Sequence, residues 1–302
     1  MAQHLEGKTA IVTGGAGGIG SWISKLYAAN GAKVIVADTG ADVEGRMGMD
    51  PARVNAVVDE ITAAGGEAVA AIGDVSEMDV AEGLVRDALE RWGKLDILCC
   101  AHGILRERMV FNMTEDEWDG SVKSHLKGCF APTKFAAIHW RQERQGGRCI
   151  YFTSGAGIHG TAGQPNYSAA HAGKLGLMRS NARGLIRYGV TSNCIAPGAS
   201  TRMTDRGLGV NAEGAPPSET ATGTARDPKN VVPIAVWLAS DAGGVANGQI
   251  FGARGHVITR YSEPERERIL RYEQPFIDID DLFELWPQTL GADPLERTQA
   301  WP

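Results

Sequence analysis

The run Thr13-Gly14-Gly15-Ala16-Gly17-Gly18-Ile19-Gly20 is the first place where residue types and spacing could do chemistry. It follows an apolar, β-type run directly and opens a helix-like segment. Glycines in such a turn let the backbone approach a pyrophosphate, whose charge is favoured at a helix N-terminus where free N–H groups point. Gly14, Gly18, Ile19 and Gly20 are the candidate contacts. A glycine run alone is weak evidence; its place between strand and helix gives it weight. Asp38 closes the second apolar run, 18 residues after Gly20. A carboxylate near that spacing accepts hydrogen bonds from adenosine ribose hydroxyls and repels a 2′-phosphate. No Arg or Lys stands immediately beside it. The pair predicts a bound nicotinamide dinucleotide, NAD in preference to NADP.

The elements that must position these residues alternate. Short β-rich apolar runs occur at 9–13, 33–37, 68–72, 95–99, 149–153, 192–195 and 249–251. Helix-like segments fit 21–30, 53–64, 80–92, 115–145, 167–188 and 228–240. Continuous apolar strands separated by helices indicate βαβ units and a buried parallel sheet. The expected fold is therefore α/β, a Rossmann doubly wound sheet of seven parallel strands with helices on both faces. Residues 1–254 make the nucleotide-binding domain, and 255–302 a charged extension containing Trp286 and Trp301 that is not an independent domain. Two stretches break the rhythm: a Gly/Asp-rich insertion from Asp38 to Pro51, and Ser200 to Pro228, long enough to be a functional lid. Arg202 and Arg206 in the latter read first as solvated loop arginines, second as partners for an acidic group.

The bulk properties narrow the function classes. Thirty-nine glycines in 302 residues are about 13%, against a usual ~7%. Many tight turns or close backbone approaches are expected. A net charge of −6 and the absence of a basic run argue against a nucleic-acid partner. Neither a secretory signal nor an apolar stretch long enough for a membrane span is visible. The five cysteines (Cys99, Cys100, Cys129, Cys149, Cys194) lack CxxC spacing and lie in or beside apolar runs. They read as reduced core thiols of a cytoplasmic protein, with no metal site.

Taken together these residues resemble the short-chain dehydrogenase/reductase family, from about Gly7 to Phe251. Within it the chain looks closest to the hydroxyacyl-CoA dehydrogenase units of peroxisomal multifunctional enzymes and their bacterial relatives. The insertion after Asp38, the run Gly103-Ile104-Leu105-Arg106-Glu107-Arg108 and the run from Asn112 to Asp119 carry that closer match. The resemblance implies an NAD-dependent oxidoreductase interconverting a secondary alcohol and a ketone on an apolar substrate such as a hydroxyacyl-CoA or hydroxysteroid. It makes Tyr167 the acid/base and Ser154, 13 residues earlier, the holder of the substrate oxygen. Asp74 and Val75 would flank the adenine. Pro197, Gly198 and Thr201 would shape the nicotinamide pocket, and Ala101 would lie in the turn that supports the cofactor. It also implies a dimer or tetramer formed through the two long helices, with a small-molecule substrate as the other partner.

Three departures bear on the chemistry. The family's lysine stands four residues after the tyrosine, on the same helix face; here that position is His171. An imidazole, with an ordinary pKa of ~6.5, is largely uncharged at neutral pH. It can still bond a ribose but stabilises a phenolate far less than an ammonium. Lys174 lies seven residues from Tyr167, roughly 10 Å along a helix, too far to substitute directly. His125 replaces the asparagine that anchors a relay water, and Cys100-Ala101-His102-Gly103 replaces an Asn-Asn-Ala-Gly turn. Each histidine also has a plain reading as a satisfied helix or loop residue. These changes leave two other readings open: altered non-redox chemistry, such as dehydration or retro-aldol cleavage, and a catalytically impaired subunit paired with an active paralogue.

Overall fold

Valine, isoleucine, alanine and cysteine fill the central strands almost without interruption, so these strands must be covered on both faces. In the computed structural model, which describes residues 3–206, 216–273 and 275–291, they are. The strands are β1 (Thr9–Thr13), β2 (Lys33–Asp38), β3 (Glu67–Ile72), β4 (Ile97–Cys100), β5 (Gly147–Phe152), β6 (Val190–Pro197), β7 (Ile250–Arg254) and β8 (Val257–Arg260). Their order in the sheet is β3-β2-β1-β4-β5-β6-β7-β8. The seven expected strands run parallel. An eighth, β8, pairs antiparallel with β7, in the stretch read from sequence as the start of the extension. Its four residues are exposed, so it carries none of the apolar signal that marks the others.

The helices are α1 (Gly18–Ala29), α2 (Pro51–Ala63), α3 (Met78–Trp92), α4 (Glu115–Val122), α5 (Gly128–Glu143), α6 (Gly155–His159), α7 (Pro165–Leu185), α8 (Val232–Ala239) and α9 (Ile279–Leu285). One apolar layer joins Ile23, Val54 and Leu238 to the sheet face bearing Val12 and Val34. The opposite layer joins Leu84, Trp140 and Met178 to the face bearing Ile11 and Leu98. All five cysteines are buried and free.

The long helix expected over 115–145 is divided. Lys123–Lys127 form a π turn between α4 and α5, and such turns favour functional positions because they re-aim side chains. The chain divides into two compact units, Met1–Tyr261 and Ser262–Pro302. In the second, α9 is capped by Asp278, whose carboxylate accepts from the Asp280 N–H at 2.9 Å. Trp301 and residues 207–215 of the expected lid lie outside the described residues. No described helix is long and apolar enough to cross a membrane, and no described cluster of His, Cys, Asp and Glu could hold a metal ion.

Candidate active site

Sheet order reverses between β1 and β4: β1 pairs in parallel with β2 on one side and with β4 on the other. A doubly wound sheet opens a crevice at the carboxyl ends of its strands at that point. The crevice here runs from Gly18 and Asp38 through Val75 and Ala101 to Tyr167 and Thr201. Among the other sequence candidates, Gly14, Ile19, Gly20, Asp74, His125, His171 and Pro197 also line it. Ser154 reaches it through Tyr167. Gly198 does not line it: its N–H donates to Ala253 O at 2.8 Å, and a Cβ there would meet the Arg254 side chain at 2.7 Å. Its small size serves the packing of β6 on β7.

The glycine turn is tight for a reason the backbone shows. Gly14 has φ +70°, and a Cβ on it would meet His102 N at 2.5 Å. A Cβ on Gly20 would collide with Gly14 O, and one on Gly18 would press on Thr201 Cγ2 at 2.9 Å. Asp38 closes this end. Its Oδ2 accepts from Ala16 N–H at 3.0 Å and its Oδ1 from Gly40 N–H at 2.9 Å, leaving lone pairs on each oxygen for a further donor. The insertion behind it is anchored: Leu105 N–H donates to Val43 O at 2.9 Å and Arg106 Nε to Glu44 O at 3.0 Å. Two of the three runs that carried the closer sequence match thus meet at one wall of the crevice. On the adjacent wall, burial pushes the Asp74 carboxyl up, but bonds from Ser76 N–H and Oγ, with Lys123 nearby, hold it below the usual range.

At the other end, Pro165 starts α7 and Asn166 fixes its first turn. The fully buried Asn166 donates to Arg106 O at 3.0 Å and Glu117 O at 2.7 Å, while its Oδ1 accepts from Tyr167 N–H at 2.7 Å. Sequence reasoning missed this residue; an amide one position before the tyrosine has no spacing signal of its own. Ser154 stands close enough to the Tyr167 phenol to draw its pKa down, and the phenol hydroxyl lies 3.8 Å from Met203 Sδ. Burial pushes the phenol up to about 12, with Ser154 pulling against it and Glu107 adding to it.

His171 packs on Tyr167 with ring centroids 4.1 Å apart. It is 3% exposed, and neither ring nitrogen has a hydrogen-bond partner among the described residues. A buried imidazole left so is costly unless a ligand satisfies it. His125 lies 4.8 Å from the Tyr167 ring and 4.4 Å from the His171 ring, centroid to centroid. Burial, then the charge of Lys174, pushes both imidazoles well below their usual range. The glycine cradle, the acceptor at Asp38 and the orphaned nitrogens of His171 together fit a dinucleotide lying along the crevice.

The profile for short chain dehydrogenases matches residues 8–208. The chain belongs to that family. It is 39% identical over 275 residues to a hydroxyacyl-CoA dehydrogenase of Mycobacterium tuberculosis, covering 87% of this chain and 82% of the relative. It is 35% identical to the peroxisomal multifunctional enzyme type 2 of Mus musculus over 80% of this chain but only 31% of that larger protein. A crystal structure of a short chain dehydrogenase from Mycobacterium avium superposes with a TM-score of 0.81 at 38% identity, covering 99% of this chain and 97% of that one. This dehydrogenase is thus an NAD(P)-linked oxidoreductase of the kind that acts on a CH–OH or ketone group.

Proposed function

We propose that the dehydrogenase uses NAD(H) to interconvert a secondary alcohol and a ketone on an acyl thioester of the hydroxyacyl-CoA type. The observation that carries this is the Tyr167 phenol at the crevice wall with Ser154 acting on it, beside a buried His171 with two unpartnered nitrogens. Bound nicotinamide supplies or accepts the hydride. Ser154 holds the substrate oxygen, and Tyr167 gives that oxygen a proton in reduction or takes one in oxidation. A phenol pushed up to about 12 is protonated at neutral pH, the form that serves carbonyl reduction. His171 bonds the nicotinamide ribose, and Asp38 receives the adenosine ribose hydroxyls and disfavours a 2′-phosphate. The acyl-CoA class rests on the relatives' described activity. The free, buried thiols support a reducing, cytoplasmic setting.

The test is consumption of NADH, followed by nicotinamide absorbance, with a short 3-oxoacyl-CoA. Turnover with NADH exceeding that with NADPH is the expected result; no absorbance change with any ketone or secondary alcohol refutes it. Self-association belongs to the same reading. Trp118 on α4 and Phe130 and Ile138 on α5 are 42%, 45% and 39% exposed, large apolar side chains that a second copy would cover. Sedimentation should find a dimer or tetramer.

A further inference from the structure

Lys174 is fully buried, although it is a lysine three residues beyond His171 on α7. Its Nζ donates to Phe152 O at the end of β5, 2.9 Å away, and to His125 Nδ1 at 3.3 Å. An enclosed ammonium is retained against its desolvation only where its surroundings hold it. Here the surroundings include the imidazoles of His125 and His171.

Two contacts at His125 compete to set its tautomer. Its Nε2 lies 2.6 Å from Ile104 O and 3.2 Å from Ile104 N; the shorter contact is to a carbonyl, which only accepts, so the hydrogen is assigned to Nε2. Nδ1 is then a bare lone pair, and Lys174 is its donor. The π turn brings His125 inward to this position, and Gly103 leaves room for the ring, since a Cβ there would collide with His125 Cε1. Gly157 clears the same space behind His171, where a Cβ would come within 2.6 Å of the His171 Cβ.

We propose that Lys174 is the positioning cation of this active site, acting on Tyr167 through His125, whose Nε2–H tautomer it fixes. The proposal rests on the reading of Tyr167 as the proton-transfer group. In it, negative charge developing on Tyr167 faces a fixed positive charge across a neutral imidazole. The family resemblance implies a lysine one turn after the tyrosine; here the lysine stands almost one turn further along the same helix, and His125 bridges the gap. The titratable and charged groups facing the two imidazoles are Lys174 and Tyr167 on α7, His102 from the turn after β4, and each other; Glu107 faces Tyr167, and Cys194 on β6 faces Lys174. Cys129 on α5 faces both Lys174 and His102. Burial, and after it the charge of Lys174, keeps His171 uncharged, leaving it as a neutral hydrogen-bonding partner for a ribose.

Lys174→Met removes the charge while keeping much of the volume. The expected result is NADH affinity within about twofold and kcat for 3-oxoacyl-CoA reduction lowered about tenfold or more, with the pH midpoint of alcohol oxidation raised by about one unit, the equivalent of that factor. Adding His171→Lys to that variant should restore kcat by returning an ammonium to the helix face beside Tyr167. An unchanged kcat and midpoint in folded Lys174→Met, or a loss that the second substitution does not reverse, overturns the proposal. Nitrogen-15 NMR of the histidines in the unmodified protein decides the matter without turnover. His125 held as Nε2–H from about pH 5.5 to 8, across the ordinary imidazole value, supports it. An Nδ1–H tautomer or an imidazolium in that range overturns it, even if Lys174→Met fails to fold. If no ketone is reduced at all, the proposed function fails while the tautomer still reports on Lys174.

Discussion

At one end of the crevice the glycine turn and Asp38 are held mainly by backbone groups: Gly14 against His102, Ala16 and Gly40 N–H on one carboxylate. At the other, Tyr167, His171, His125 and Lys174 meet through side chains carried on α7 and the π turn. The first end depends on what is missing, namely Cβ atoms. The second depends on what is present and how each ring faces the next. Damage should therefore show as lost affinity at one end and as lost rate at the other.

The largest effect expected is on rate. Tyr167→Phe should lower kcat by about 10²–10⁴-fold, the range for a general acid, and leave NADH binding nearly intact by calorimetry. Gly20→Ala should act the other way. Its Cβ collides with Gly14 O, so affinity for NADH should fall by roughly tenfold or more, about 1.4 kcal/mol, with kcat at saturation changed less. If Gly20→Ala lowered kcat alone, the division between the two ends would be wrong. Asp38→Ala should narrow the preference for NADH over NADPH by a smaller factor, measured as the ratio of kcat/KM values. It should also lower Tm, because two backbone N–H groups lose their acceptor.

The last expectation is a pH dependence from the histidine end. Burial, and then Lys174, hold His125 and His171 below their usual range. Above the ordinary imidazole value of about 6.5 both states are neutral and the histidines add no slope. Below it the unfolded chain binds protons that the folded chain does not, so stability must fall as pH falls. Thermal melts from about pH 7.5 down to 5, spanning that value, should show a steeper decline than the same series for a His125→Asn variant. Equal slopes would place His125 in contact with solvent.

The same contrast explains what was legible in the sequence. Glycine spacing and Asp38 lie within one βαβ unit, so chain distance reports spatial distance, and that end could be read directly. Tyr167 and Ser154 were legible through family resemblance. Lys174 was discounted because rise along a helix measured its separation from Tyr167 but said nothing of His125, 49 residues earlier, as an intermediary. The π turn was invisible for a similar reason. Residues 115–145 read as one helix because their pattern continues across the irregularity. Asn166 was missed because an amide gives no pattern at all, and β8 because an exposed edge strand carries no apolar run.

The wide turn at Lys123–Lys127 has a consequence for how the protein tolerates change. A π turn uses one residue more than the α-helical path between the same two points, and each residue of an α-helix rotates the chain by ~100°. Loss of one amino acid within those five would let α4 and α5 fuse into a regular rod. That would spare the outer faces of both helices or the inward aim of His125, but not both. Short deletions here should therefore be felt as severely as substitutions in the crevice itself.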